Sequence, residues 1–174
     1  MIETERLSLV PMESRHRRAF HAGRQELGRL LGVSIPEQWP HYPEALALLK
    51  MDVDPAVSIA APGAWGGYLF IDSANRALVG NGGYYGPPNP GGEVEIGYEI
   101  APACRNRGYA TEVARAFVRF AFDDPRVRCI VAHTLPEENA SSAVLTKIGM
   151  RFAGERTDPE VGVVWHWFMS SRSS

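Results

Sequence analysis

The sequence has few cysteines, no long hydrophobic run and little net charge. Two cysteines, Cys104 and Cys129, are too few for a disulfide framework, and neither lies in a CxxC pair or in a cysteine and histidine cluster with zinc-ligand spacing. We therefore expect free thiols and no metal. No stretch approaches the roughly eighteen consecutive apolar residues of a membrane helix, and residues 1–12 lack the basic start and apolar run of a secretory signal. The chain is expected to be soluble and cytoplasmic.

The small net charge excludes further classes of protein. Eighteen Lys and Arg residues against 20 Asp and Glu residues give a net charge of -2 and a pI near 6.2, so no global field attracts nucleic acid or an anionic membrane. A hydrophobic content of 45% over 174 residues suits one compact domain that buries roughly 70% of its unfolded surface. We expect a single domain over residues 1–174, with neither nucleic acid nor a membrane as partner.

Hydrophobic periodicity predicts a mixed α/β fold. Apolar residues at helical spacing predict helices over 15–31, 43–51, 108–122 and 139–148. Alternating or compact apolar runs predict strands over 7–11, 65–71, 78–85, 93–100, 127–135, 150–155 and 163–169. This order of elements indicates a mixed α/β (α+β) sheet of about six to seven strands, flanked by about four helices.

The strand predicted over 93–100 carries a row of carboxylates. Its apolar residues point to one face of the sheet, and Glu93, Glu95 and Glu99 share the other face. Carboxylates in this arrangement lie in solvent, bind an arginine or take part in proton transfer. The sequence leaves these alternatives open.

A basic segment connects this strand to the next predicted helix. A helix N-terminus presents unpaired N–H groups and a partial positive charge, which suits phosphate oxygens. Gly108 permits close backbone approach, Thr111 offers a hydroxyl, and Arg105 and Arg107 add positive charge. Neither GxxxxGKS/T nor GxGxxG after a strand is present, which argues against a P-loop NTPase and a Rossmann domain. The segment matches R-x-x-G-x-A, a pattern that is weak in isolation.

Three segments together resemble the GNAT N-acetyltransferase superfamily. Residues 94–102, VEIGYEIAP, followed by residues 105–112, RNRGYATE, resemble its acetyl-CoA-binding motif. Residues 138–150, ENASSAVLTKIGM, resemble its second motif. Residues 3–9, ETERLSL, are similar to the start of the branch that contains the RimJ and RimL ribosomal-protein acetyltransferases. The segments follow one another in the order expected for this superfamily.

The resemblance implies a fold and a co-substrate. It implies a mostly antiparallel sheet that is splayed between the strand ending near Ile100 and the strand beginning after Val127, with the pantetheine arm of acetyl-CoA in the gap and no metal. Loop amides would hold the pyrophosphate, and backbone around Ile100 would contact pantetheine. The residues that the resemblance assigns to cofactor binding are Ile100, Arg105, Asn106, Arg107, Gly108, Tyr109, Ala110, Thr111, Asn139, Ser142 and Lys147.

The resemblance also implies an activity, the transfer of an acetyl group from acetyl-CoA to a primary amine by direct attack on the thioester. A primary amine is mostly protonated at pH 7, so a base or a water chain must remove a proton. Glu95 is the first candidate for the base. Ser142 either protonates the departing thiolate or only caps the helix that begins near Asn139.

The acceptor and the class of function leave alternatives. The acceptor amine belongs to a protein N-terminus or to a small molecule such as an amino acid, a polyamine or an aminoglycoside. A non-catalytic acyl-CoA-binding module is the alternative function, and both a monomer and a homodimer are open.

Several other residues are weaker candidates for the site. His133 lies in a strand whose end should approach the site, although a lone histidine is more often structural. His166 lies between two tryptophans, and the sequence does not decide which face of the strand it occupies. Tyr84, Tyr85 and Trp39 either line an acceptor pocket or pack in a core.

Overall fold

A computed structural model describes residues 1–42, 64–159 and 161–171 of the chain. The helix predicted over 43–51 lies outside these ranges. Within them, no helix has both the length and the apolar character needed to cross a membrane.

The described part of the chain contains one open mixed sheet of eight strands in the order β1-β2-β3-β4-β5-β6-β8-β7. The strands are β1 (Ile2–Glu3), β2 (Leu7–Pro11), β3 (Gly67–Asp72), β4 (Ala77–Tyr84), β5 (Glu93–Ile100), β6 (Cys129–Thr134), β7 (Arg151–Asp158) and β8 (Gly162–Ser170). Neighbouring strands are antiparallel except β5 and β6, which are parallel. The predicted fold class is confirmed, and the two-residue β1 is the strand that periodicity did not show.

Four α-helices accompany the sheet within the described ranges. They are α1 (Ser14–Ala22), α2 (Arg24–Leu31), α3 (Tyr109–Phe122) and α4 (Ala140–Ile148). The prediction of one continuous helix over 15–31 is wrong, because Gly23 divides it. Gly23 has a φ of 135°, a conformation that side chains other than glycine rarely adopt, and its N–H closes α1 on the carbonyls of Ala19 and Phe20.

The helices cover the two faces of the sheet and bury a core on each. On one face, Phe117 of α3 packs against Phe70 with ring centroids 5.9 Å apart. On the other face, Leu27 of α2 and Leu69 of β3 are completely buried. Residues 69 and 70 enter different cores because successive side chains of a strand point to opposite faces.

The sheet opens between β5 and β6. These strands pair only over residues 93–95 and 129–131. Beyond them, β5 continues along β4 as far as Ile100, and β6 continues along β8 as far as Thr134. Two strand edges therefore diverge, with no strand of the described residues between them, and we call this opening the fork. The predicted splay of the central strands is confirmed.

Candidate active site

Glu95 lies where the fork begins. It is the last residue of β5 that is paired with β6, where its partner is Val131. Strand alternation places its side chain on the same face as Glu99, which is the face covered by α1 and α2. The side chain is 36% exposed. The base predicted from the sequence is thus accessible at the root of the opening.

A chain of hydrogen bonds leads from Glu95 across the fork. Glu95 Oε1 lies 2.8 Å from His133 Nδ1, and His133 Nε2 lies 3.0 Å from His166 Nδ1. His133 is exposed, whereas His166 is buried. Burial and the nearby positive charges of Arg156 and His133 lower the pKa of His166. Sequence reasoning did not find this link, because strand order alone brings residues 95, 133 and 166 together.

The alternation of side chains along β8 determines which face of the sheet His166 occupies. Trp165 and Trp167 lie on the opposite face of the strand, where Trp167 Nε1 donates a hydrogen bond to Thr134 Oγ1 at 3.1 Å. His166 pairs with His133 in the strand register and therefore shares its face. The histidine belongs to the side of the sheet that carries Glu95.

The two other carboxylates of this face have different surroundings. Glu93 is exposed. Glu99 is buried and accepts hydrogen bonds from the backbone N–H groups of His41 and Tyr42 at 3.4 and 3.1 Å. Burial raises the pKa of Glu99, and these bonds only partly oppose that effect. Glu99 thus anchors the chain at residues 41–42, which leaves Glu95 as the accessible carboxylate at the fork.

The loop between β5 and α3 presents a row of backbone donors. Residues 106–111 donate no backbone hydrogen bond to any of the described residues. Asn106 has a φ of 61° and Gly108 a φ of 80°. Left-handed residues next to right-handed ones turn successive N–H groups to one side and form an anion-binding nest. Residues 105–111, which we call the α3 loop, therefore have a backbone geometry that suits an anion at a helix N-terminus.

The two arginines of the α3 loop are both exposed. Arg105 Nε donates to the carbonyl of Ile100 at 3.2 Å, and its guanidinium lies 6.0 Å from the ring centroid of Tyr42. The carbonyl of Arg107 accepts a hydrogen bond from Arg6 Nη1 at 2.8 Å. Both guanidinium groups can add positive charge at the rim of the nest.

The α3 loop is tied to the first residues of the chain. Glu112 of α3 accepts hydrogen bonds from the Thr4 hydroxyl at 2.6 Å and from the backbone N–H and Nε of Arg6, both at 2.8 Å. Burial raises the pKa of Glu112, but the bonds from Thr4 and Arg6 outweigh burial and lower it. We call Thr4, Arg6 and Glu112 the strap. Sequence reasoning gave these residues no role, and the ETERLSL resemblance was the signal that could have found them.

Two predicted cofactor contacts at the start of α3 have buried side chains. Tyr109 is 5% exposed, and its hydroxyl donates to Asp72 Oδ2 at 2.6 Å. Thr111 is 9% exposed, so its hydroxyl is largely covered. Gly108 is exposed and Ala110 is half-buried. At Tyr109 and Thr111, the backbone N–H rather than the side chain is available to an anion.

The start of α4 is capped by its own side chains. Asn139 Oδ1 accepts from the N–H groups of Ser141 and Ser142 at 2.9 and 3.0 Å. The buried Ser142 hydroxyl accepts from the Asn139 N–H at 2.8 Å and donates to the Asn139 carbonyl at 2.9 Å. Of the two roles predicted for Ser142, the cap is observed and the acid stays a prediction. Lys147 is exposed in the last turn of α4.

The three candidate aromatic residues differ in accessibility. Tyr84 is buried and donates to a backbone carbonyl of α3 at 2.6 Å. Trp39 is completely buried, and its Nε1 donates to Asn81 at 2.7 Å. Neither can line an open pocket. Tyr85 is exposed and lies across Gly97, where an added Cβ would be 2.8 Å from the tyrosine hydroxyl. Glycine at position 97 therefore allows Tyr85 to lie along the carboxylate face.

Comparison with known proteins agrees with this geometry. The family model described as "Acetyltransferase (GNAT) domain" matches residues 6–151. The chain is 24% identical over 155 residues to the uncharacterized N-acetyltransferase YjdG of Bacillus subtilis (strain 168), an alignment that covers 86% of this chain and 88% of the relative.

Two solved structures share the fold over nearly their whole length. RimL, a ribosomal α-N-protein acetyltransferase in complex with coenzyme A, has a TM-score of 0.69 at 17% identity, with 96% of this chain and 95% of that chain covered. A chimera of the spermidine N-acetyltransferase SpeG from Vibrio cholerae and hSSAT has a TM-score of 0.64 at 16% identity, with 95% and 96% covered.

Proposed function

The chain belongs to the GNAT acetyltransferase family, and from this premise we propose that it is an acetyl-CoA-dependent N-acetyltransferase that acts on a primary amine. One observation carries the proposal. The accessible carboxylate of Glu95 lies where the fork begins, and the backbone N–H groups of residues 106–111, which have no acceptor among the described residues, follow the end of β5, which forms one edge of the fork. An anionic cofactor with a long flexible arm needs both an anion site and an open strand edge. A base beside that edge makes the arrangement suitable for acyl transfer to an amine.

We assign acetyl-CoA to the fork and the α3 loop. The N–H groups of residues 106–111 would bind the pyrophosphate, with Arg105 and Arg107 adding charge at the rim. The backbone edge of β5 near Ile100, which has no strand partner on the side of the fork within the described ranges, would bind the pantetheine amides. We place Asn139 and Ser142 near the thioester and Lys147 near the nucleotide, as the resemblance implies.

In the proposed reaction, Glu95 accepts a proton from the acceptor amine. The amine nitrogen attacks the acetyl carbon, the C–N bond forms, the C–S bond breaks and the electron pair leaves with the CoA thiolate. The proton that Glu95 has accepted from the amine then passes to solvent. A thiol with a pKa of about 8.5 leaves with modest help. Ser142 would have to give up its bond to the Asn139 carbonyl before it could donate to the thiolate.

The face of the sheet beside the fork favours a cationic acceptor. Glu93 and Glu95 give it negative charge, and the exposed Tyr85 offers an aromatic surface next to them. RimL is described as an α-N-protein acetyltransferase and SpeG as a spermidine N-acetyltransferase. We propose an acceptor of this class, a protein N-terminus or a small-molecule amine, for a chain of the RimJ/RimL-like branch.

Thermal unfolding tests the assignment of the cofactor. A ligand at a hundred times its Kd stabilises a protein by about 2.7 kcal/mol, which raises the Tm of a chain of this size by about 5–10 °C. We expect this shift with acetyl-CoA and CoA, and no shift with ATP or NAD. If neither acetyl-CoA nor CoA changes the Tm, the assignment of the α3 loop is wrong.

Acetyl transfer is tested with the same protein, by measuring the CoA thiol that is released in the presence of each of a panel of amines. We expect Glu95→Gln to lower kcat/KM about 100-fold or more without weakening acetyl-CoA binding, because only the base is removed. Glu26→Gln is the control, since it removes a carboxylate of α2 that pairs with Arg29 and takes no part in the fork, and it should stay within about twofold of wild type. Binding without transfer to any amine would support the non-catalytic acyl-CoA-binding module instead.

A further inference from the structure

The hydrogen bonds that join Glu95 to His133 and His133 to His166 determine which nitrogen atoms carry protons. An ionised carboxylate can only accept, so His133 Nδ1 donates to Glu95 Oε1. When His133 is neutral, its Nε2 accepts from His166 Nδ1–H. When His133 is protonated, Nε2–H donates and His166 Nδ1 accepts, with the proton of the neutral His166 on Nε2. The same three side chains therefore satisfy both charge states of His133 without moving.

The surroundings of His166 keep it in the neutral form that this exchange needs. It is buried on β8, and its pKa is lowered by burial first and then by the charges of Arg156 on β7 and His133 on β6. Glu93 and Glu95 on β5 oppose this shift without reversing it. When one of the two imidazoles is charged, the charge is therefore on His133, directly beside the carboxylate of Glu95.

We propose that His133, supported by His166, is a positioning residue that holds Glu95 through Oε1, leaves Oε2 to take the amine proton, and makes the strength of this base depend on the charge of His133. A neutral imidazole orients the carboxylate and leaves it basic. An imidazolium 2.8 Å away stabilises the carboxylate charge and makes Glu95 a weaker base. Protonation of His133 on acidification then slows transfer, because it weakens the base.

The inference rests on the proposed function, and His133→Asn tests it. The asparagine amide can donate from nearly the position of Nδ1 but cannot ionise. The measurement is the ratio of variant to wild-type kcat/KM for one amine between pH 5.5 and 8.5, which cancels the ionisation of the amine. At pH 8 the variant should have a kcat/KM within about threefold of wild type. Towards pH 5.5 the ratio should rise by about three- to thirtyfold, because only the wild-type base is weakened by a charged histidine.

Two further variants separate positioning from folding. His166→Leu removes the acceptor for the second proton of His133 and so disfavours the charged imidazole. The fall of kcat/KM on acidification should therefore occur at lower pH in this variant. His21→Asn changes an exposed histidine of α1 and should leave the profile unchanged. Tm and acetyl-CoA affinity are measured for each variant. A ratio that stays constant with pH in active enzyme overturns this inference alone, whereas intact acetyl-CoA binding with no transfer by wild type overturns the proposed function and this inference with it.

Discussion

Tyr109 joins the start of α3 to the end of β3 by a buried hydrogen bond to Asp72. This bond is the main cause of the lowered pKa of Asp72. Burial raises the pKa, and two further hydrogen bonds from Asn75 lower it. Because the pKa of Asp72 in the folded protein lies below the ordinary 3.8, its ionised form stabilises the fold above that pH. The contribution is lost as the pH falls through the lowered value.

We therefore predict that Tyr109→Phe destabilises the protein in a pH-dependent way. At pH 7 the loss should be about 1–3 kcal/mol, because a buried carboxylate loses a charge-assisted hydrogen bond. The difference from wild type should narrow as the pH falls below 3.8 and through the lowered pKa of Asp72, because the protonated carboxyl no longer needs the charge-assisted bond. Urea unfolding at several pH values measures it.

Tyr84→Phe is the matched control for this prediction. Tyr84 also donates a buried hydrogen bond, but its acceptor is a neutral backbone carbonyl. Its loss should be about 1 kcal/mol and independent of pH in the acid range. If both variants show the same pH dependence, the coupling of Tyr109 to Asp72 is not the cause.

At the scale of elements, the strap holds the N-terminus of α3 to the chain segment between β1 and β2. Arg6 contacts Glu112 on the helix and the carbonyl of Arg107 in the α3 loop. The orientation of the donor row therefore depends on residues that are about a hundred positions away in sequence. The ETERLSL segment therefore has a structural role beside the α3 loop.

Glu112→Gln distinguishes this positioning role from simple electrostatics. The variant is more positive by one charge beside an anion site, so charge alone predicts tighter acetyl-CoA binding. We predict weaker binding, by about fivefold in Kd, because loss of about 1 kcal/mol of charge-assisted bonding lets Arg6 and the α3 loop move. Isothermal titration calorimetry measures the change. Glu26→Gln, which removes an exposed ion-pair partner of Arg29 on α2, is the control with the same charge change.

The elements that the sequence predicted well are those with a local signal. The bounds of β2 and β5 agree with the prediction because both have clean alternation between flanking turns. The division at Gly23 was missed because the apolar spacing continues from α1 into α2 across it. β1 was missed because two residues carry no period, and they become a strand only by pairing with β2.

The candidate site divides in the same way between local and distant contacts. The Asn139 cap and the left-handed Gly108 follow from neighbouring residues and could be predicted. The position of Glu95 at the fork depends on where β5 and β6 stop pairing, and its contact with His133 depends on a residue 38 positions away. No pattern within one segment contains that information.

At the scale of the whole molecule, the sheet consists of two parts that meet in one short parallel contact. The strands β1 to β5 form one part, and β6, β8 and β7 form the other. Among the residues that the structure describes, only 93–95 and 129–131 join them through strand pairing. Both sides of the fork therefore have backbone groups without a strand partner in the described ranges, and an arm bound between them would connect the two parts.

Hydrogen exchange measured by mass spectrometry tests this connection across the molecule. We predict that acetyl-CoA slows exchange in peptides that contain residues 96–100, 132–134 and 106–111 by about tenfold or more, because bound ligand supplies partners for exposed backbone groups and suppresses local opening. Peptides of β2, which is paired with β1 and β3, should change little. Protection of residues 106–111 alone would mean that the phosphates bind as proposed while the pantetheine arm lies outside the fork. Protection of both strand edges would place the arm between the two parts of the sheet, beside Glu95.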